Sequence, residues 1–254
     1  MSEQSGPIIV MIALNSPRLP SRVTILNAFR ERCPDCQAAE SGGEEEGTMM
    51  FELDGDLAFV SLMPAPIPWS ELEGPCETSW WWPEATERMK PRTHHAIVAF
   101  MGQPGDIVQR HIYLSQFVSA VAMNADAAGI YWGNGTVVHE PAAFQDQASH
   151  LALDEVDPQL WIDMRLEQND DDSYRYFTTG LTAFGRPEIE IDRSKQDPQE
   201  ILEFCYAIIC YILNSGATIG DGETIGRLDE EKIRVAYKPS MFDREGDVMK
   251  LAYA

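Results

Sequence analysis

Cys33-Pro34-Asp35-Cys36 has the spacing of a dithiol redox pair or of half a zinc site. A redox thiol is activated at a helix N-terminus, where the dipole favours the thiolate. Here the pair follows a predicted helix, at the end that disfavours it. A structural zinc site needs about four ligands, and there is no second Cys-x-x-Cys; Cys76 and the His94-His95 pair would complete a site only through the fold. A structural role for the two thiols is the plainer reading. Trp80-Trp81-Trp82-Pro83 puts three large aromatics in succession, with Trp69 nearby in a proline-rich stretch. Three consecutive side chains cannot all face one core, so at least one Trp is expected outside it. The two uses of such a cluster are packing under the loop and contact with a partner, for which Trp is well suited because it buries a large area at low entropy cost. For partner contact the candidates are Trp80, Trp81 and Trp82 with the acids Glu44, Glu45, Glu46 and Glu84.

A second constellation has the makings of a small-molecule pocket. Tyr131, Trp132, Trp161, Arg186, Glu188, Asp221 and Glu223, with His139, combine aromatics, paired carboxylates and a guanidinium, which can supply an acid and a base. The plainer reading is structural, with Asp221 and Glu223 in a Gly-rich turn and Arg186 paired to Glu188 or Glu190. Gly220 to Gly226 lacks the Lys and Ser/Thr of a phosphate loop and carries two acids that repel phosphate. Asp170-Asp171-Asp172 lacks the Gly and distant Glu of a calcium loop and reads as a solvated turn. His94, His95, His111, His139 and His150 form no zinc-protease motif, and neither a nucleophile elbow nor a dinucleotide loop is present. No catalytic residue, metal ligand or cofactor is assigned.

Charge narrows the partners. Forty-one acids against nineteen Lys and Arg leave a formal charge of −22. Such a surface repels phosphate backbones and anionic lipid, which argues against nucleic acid and membranes, and it favours encounter with a basic protein. The longest apolar run, Phe204 to Leu213, is short of the roughly 20 residues that cross a bilayer. Met1 to Ser5 shows no secretory signature, and five cysteines do not suggest a disulfide framework, so a cytoplasmic location is expected.

The elements that would carry these residues read as α+β, with mixed or antiparallel sheets and packed helices. Pro7 to Leu14 is a buried strand, Ser21 to Cys33 a helix and Ala38 to Gly47 a solvated loop. Met49 to Leu53 and Leu57 to Leu62 flank a hairpin turn at Asp54-Gly55-Asp56. With a short helix at Pro83 to Met89 and a strand at His95 to Met101, the order is β-α-β-β-α-β, compatible with a ferredoxin-like sandwich. Asp106 caps a long helix closed by Gly129. Further strands are expected at Leu160 to Leu166, Tyr174 to Phe184, Glu188 to Ile191, Lys232 to Tyr237 and Val248 to Tyr253. A helix from Asp197-Pro198 to Gly216 is apolar nearly all round and is expected to be covered on most sides. The expected division is 1–104 and 105–254, either as two halves or as one continuous domain, the second half built around that helix.

The second half carries Ala128-Gly129-Ile130-Tyr131-Trp132-Gly133, then Leu160-Trp161-Ile162, then Thr178-Thr179-Gly180-Leu181 running through Phe184-Gly185-Arg186-Pro187-Glu188-Ile189-Glu190. Gly220 to Gly226 and Pro239-Ser240-Met241 follow. In this order they resemble the bacterial domain-of-unknown-function family numbered 4261, over roughly residues 125 to 254. The resemblance implies a bacterial origin and an accessory role in gene clusters, with no activity or catalytic residues attached. The functional expectation is a non-enzymatic acidic binding protein, an immunity or adaptor protein for a basic toxin or secreted effector. The alternatives are an enzyme using the Tyr131, Trp132, Arg186 and Glu188 region on a small polar substrate, and a soluble scaffold with no dedicated site.

Overall fold

Ile8–Leu14 forms β1, inside a seven-stranded antiparallel sheet whose order is β2-β3-β4-β5-β1-β6-β7. The computed structural model describes residues 6–45, 47–102, 105–226, 232–242 and 244–252. The chain divides into two units, 1–155 and 156–254. In the first, β1 is followed by α1 (Arg22–Arg32), β2 (Ala38–Glu45), β3 (Thr48–Leu53), β4 (Asp56–Met63), α2 (Trp69–Thr78) and α3 (Ala85–Met89). Then come β5 (His94–Met101), α4 (Ile107–Asn124), β6 (Ala127–Trp132), β7 (Val137–His139) and α5 (Pro141–Ser149). Strands β1 and β4 flank β5, while β5 and β6 flank β1, and the crossover helices α1 and α4 pack on each other. These are two interlocked split β-α-β units, the ferredoxin-like pattern. The six elements involved are β1, α1, β4, β5, α4 and β6. The order expected from sequence used Pro83 to Met89 as its second helix, whereas α3 lies outside the pattern.

The split at 155/156 differs from the expected 104/105 because α4 and the two strands after it complete the first sheet and its helical layer. Phe117 of α4 sits edge-on between Phe29 of α1 and Phe51 of β3, with ring centroids 5.7 and 5.1 Å away. Asp106 caps α4 as its residue type predicts, accepting from the N–H groups of Val108 and Gln109. The helix stops at Asn124 rather than at Gly129, because Asp126 takes the positive φ (51°) and Asn15 Nδ2 donates to its carbonyl and its carboxylate. Asn and Asp tolerate that conformation better than other non-glycine residues. Gly129 serves packing instead. It lies in β6, where a Cβ would come within 2.8 Å of both Met89 Cγ and Trp82 Cη2. Gly129→Val is expected to cost about 1–3 kcal/mol by overpacking, read as a lower urea midpoint with an unchanged slope.

One other expectation for this unit changes. Ala38 to Glu45 is not a loop but an edge strand, paired with β3 and broken in register between Ser41 and Glu45. Such a bulged, glycine-containing, acidic edge is hard for another strand to extend. Trp69–Thr78 is helical despite Pro75 inside it, and buries Leu72 and Cys76, four residues apart.

The second unit is a six-stranded sheet in the order β11-β12-β13-β10-β9-β8. Its strands are β8 (Asp163–Gln168), β9 (Tyr174–Thr179), β10 (Ile189–Ser194), β11 (Thr224–Ile225), β12 (Ile233–Pro239) and β13 (Asp247–Ala252). Only β10 and β13 pair in parallel; the other neighbours are antiparallel. β9 ends at Thr179 rather than Phe184, because Gly180 (φ 124°) turns the chain into a short 3-10 segment. Among the described residues the one α-helix is α6 (Pro198–Ser215), with Asp197 as cap and Gly216 (φ 67°) closing it. It is amphipathic in its burial: Ile201, Phe204, Cys205, Ile208, Ile209, Ile212 and Leu213 are buried, while Ala207 and Tyr211 are exposed. Coverage on most sides does not hold, since the buried positions follow one 3.6-residue stripe. No helix among the described residues is long and apolar enough to cross a membrane.

Candidate functional site

Helices α2 and α3 and the turn joining them cover one face of the first sheet. Ile67, Leu72, Cys76, Trp82, Ala85 and Met89 form a small core with Ala13, Ala128, Tyr131 and Val138 of the strands. This core takes one of the three consecutive tryptophans. Trp82 is 5% exposed, whereas Trp80 and Trp81 are 75% and 41% exposed. The outer two meet edge to face with centroids 5.7 Å apart, and Trp81 Nε1 donates to the Val138 carbonyl at 3.0 Å. Trp81 is thereby tied to β7, and Trp80 stands on it. Nearby, Trp69 Nε1 donates to Glu73 at 3.0 Å, and Lys90 Nζ lies 4.7 Å from the Trp69 ring centroid. From Trp69 to Glu87 the chain has five acids, Glu71, Glu73, Glu77, Glu84 and Glu87, and no Lys or Arg. All five are exposed. Of the other acidic candidates, Glu46 lies outside the described residues, as do the side chains of Glu44 and Glu45.

The pocket candidates are distributed over the two units. Tyr131 and Trp132 are neighbours on β6, so they point to opposite faces of the sheet. Tyr131 joins the small core and bonds Glu71, and burial followed by that carboxylate pushes its phenol up to about 12. Trp132 stacks with Phe144 of α5 and His111 of α4 on the other side, and His139 packs on the same Phe144. In the second unit Trp161 is fully buried against Phe184, centroids 5.6 Å apart. Glu188 is buried and accepts from Thr178 Oγ1, the N–H groups of Gly180 and Thr182, and Thr182 Oγ1. Its carboxylate clamps the turn after β9. Arg186 donates to Gly216 O at 2.6 Å and Thr218 Oγ1 at 2.9 Å, closing the end of α6. Asp221 accepts from the Tyr237 N–H, and Glu223 from the Gly220 N–H, fixing the loop before β11. Glu188 and Glu223 are held in local turns, while Arg186 and Asp221 tie their loops to distant backbone at the end of α6 and on β12.

The cysteine pair is in a setting that opposes thiolate. Burial and then Asp35 raise Cys33 to about 11; burial, then Asp54, Cys33 and Asp56, raise Cys36 to about 12. Both thiols are free. Among the described residues no group of three or more His, Cys, Asp or Glu is placed to hold a metal ion.

One cluster was not anticipated: Glu190, read from sequence as a candidate partner of Arg186, is paired with Lys250 instead. Ala236, Lys250, Glu190, Phe177 and Arg165 are register partners across β12, β13, β10, β9 and β8, so they share one face of the second sheet. Glu190 is fully buried and receives Lys250 Nζ at 2.7 Å, Ser240 Oγ and the Met241 N–H at 2.9 Å. Lys250 also bonds Asp192. Burial pushes the Glu190 carboxyl up, but the Lys250, Met241 and Ser240 donors outweigh it and hold the group below the usual carboxylate range. Burial likewise opposes the Lys250 charge, and Asp192 and Glu190 reverse it, raising the ammonium. Next to this row, Arg244 donates to Thr178 O at 2.7 Å and Thr179 Oγ1 at 3.0 Å, with its guanidinium 5.1 Å from the Phe242 ring centroid. The segment between β12 and β13 is thereby fastened to the sheet. The alternation of Ile189, Glu190 and Ile191 carried no signal for this: it places the acid on the face opposite the two isoleucines, which reads as the solvated face of a half-buried strand, whereas here both faces are covered.

Residues 177–252 match a family model. Its description is domain of unknown function (DUF4261). The matched stretch lies wholly within the second unit and contains Glu190, Lys250, the strap between β12 and β13, and α6. It is narrower than the resemblance over roughly residues 125 to 254. The Trp80–Trp81 surface lies outside it. No curated protein and no solved structure gives a significant match.

Proposed function

We propose that this chain is a non-enzymatic acidic binding protein whose partner is a basic protein, such as a bacterial toxin or secreted effector that it neutralises or escorts. One observation carries the reading: two adjacent tryptophans stand exposed in the stretch 69–87, whose charged residues are five exposed acids, with Arg88 and Lys90 following directly after it. Exposed aromatics of this size favour a partner that desolvates them, and the surrounding carboxylates select a basic one. The acidity is present in both units: 21 acids against 8 bases make −13 in residues 1–155, and 20 against 11 make −9 in residues 156–254. Several bases of the first unit are engaged within it, Arg110 with Asp56 at 3.1 Å, Arg30 with Ala38 O at 2.6 Å and Arg92 with Asn15.

The test uses purified basic proteins encoded beside this gene. Association is expected to slow by at least about tenfold between about 50 and about 500 mM salt, because the encounter is steered by charge. If none of them binds at the lower salt, or if the rate is indifferent to salt, the reading fails.

A further inference from the structure

Trp69 shows how this surface holds a cation. The Lys90 ammonium lies over its ring at 4.7 Å, while the indole N–H donates to Glu73, so ring, cation and carboxylate are grouped within one small region. The Trp80–Trp81 pair likewise has acids close to it in the sequence, with the Trp81 indole N–H given to Val138 O rather than to a carboxylate. Glu77 lies three residues before Trp80, and Glu84 three residues after Trp81. The pair has a fixed base: Trp82 is buried, its N–H donates to Ser79 O at 3.2 Å, Ala85 N–H donates to Trp82 O at 3.0 Å, and Trp81 is bonded to β7. A ring held in place loses little freedom when a ligand covers it.

We propose that Trp80–Trp81 is the seat for an arginine side chain of the basic partner, with its guanidinium over the Trp80 ring and its charge balanced by Glu77 and Glu84. This rests on reading the chain as a binder of a basic protein. Arginine fits better than lysine because its planar, weakly hydrated group stacks on an indole and can still direct N–H donors sideways to carboxylates. A purely apolar anchor would gain nothing from the flanking acids, and a phosphate would be repelled by them.

The experiment titrates three short peptides, identical except for a central arginine, lysine or citrulline, into the full chain while the indole N–H resonances are followed by NMR. The arginine peptide is expected to shift the Trp80 and Trp81 resonances, the lysine peptide to bind several-fold more weakly, and the citrulline peptide to leave them in place. Trp80→Ala is expected to weaken arginine-peptide binding by at least about tenfold, as for an interface anchor. E77Q/E84Q should weaken it less and reduce its salt dependence. Trp80 is 75% exposed, so its removal leaves the core intact. Equal binding of the arginine and citrulline peptides, or unchanged affinity in Trp80→Ala, overturns the seat. If a basic partner protein still binds Trp80→Ala with a salt-dependent rate, the seat alone is wrong and the broader reading stands. If no basic partner binds the native chain, both fall.

Discussion

Lys250→Met is expected to destabilise the second unit by about 3–5 kcal/mol, because it leaves a fully buried carboxylate without its cation. The pH dependence gives the sharper test. In the native chain the folded Glu190 carboxyl lies below its ordinary value, so its contribution is complete above about pH 4.3 and is lost as pH falls through the folded value. The folded Lys250 ammonium is raised, so its contribution is complete below about pH 10.4 and is lost as pH rises through the folded value. Between those limits the pair contributes a plateau. Without Lys250, burial acts on Glu190 against only the Ser240 and Met241 donors, and the carboxyl moves upward. The sign then reverses: the variant loses stability as pH rises above about 4.3. Urea unfolding of both proteins at about pH 4.5 and about pH 7 decides it. The companion variant Glu190→Leu with Lys250→Met should recover part of the loss, since a buried pair replaced by apolar residues is often neutral. A cost below about 1 kcal/mol at both pH values, the size of a surface pair, would show that the ion pair is not buried in solution.

The second large effect is in the first unit at acid pH. His111 is fully buried beside Trp132, with centroids 5.9 Å apart and its Nδ1 at 2.8 Å from Ile107 O. Burial lowers the imidazole to about 3; the Ile107 carbonyl opposes that shift and Arg110 adds to it. A base held below its unfolded value contributes stability that is complete above about pH 6.5 and declines as pH falls, by about 1.4 kcal/mol per pH unit. Between pH 6.5 and 4.5 the loss is therefore about 2–3 kcal/mol. His111→Phe should remove that part of the acid limb, so the gap in stability between about pH 7 and about pH 4.5 narrows relative to the native chain. Calorimetric unfolding of the two proteins measures it, and equal gaps would mean that His111 is not the group protonated on acid unfolding.

Short-range features were legible in the residues themselves. Asp54 and Gly55 both take positive φ in a two-residue turn, and Leu53 pairs with Asp56, as the Asp-Gly signal requires. Asp197-Pro198 starts α6 and Gly216 ends it. These are decided by groups a few positions apart, so the sequence shows cause and effect together. The same local rule failed at Gly129, where a positive-φ residue was sought and Asp126 supplied it. The glycine was required by Trp82 and Met89, forty or more positions earlier in the chain.

The candidate surface and the buried network depend on longer range. The triplet Trp80-Trp81-Trp82 required at least one ring outside the core, because three successive side chains cannot share a direction. Which ring went in was settled by the cavity that Leu72, Cys76, Met89 and Tyr131 form around Trp82. Glu190 and Lys250 are 60 residues apart and meet because β10 and β13 pair in parallel with those two positions opposite each other. Composition alone established a strongly acidic chain, and patterning alone established α+β elements with their caps and turns. The side chains brought together, and those left facing water, followed from strand order and register, which arise from the competition of many apolar faces for burial and leave no mark at any single position.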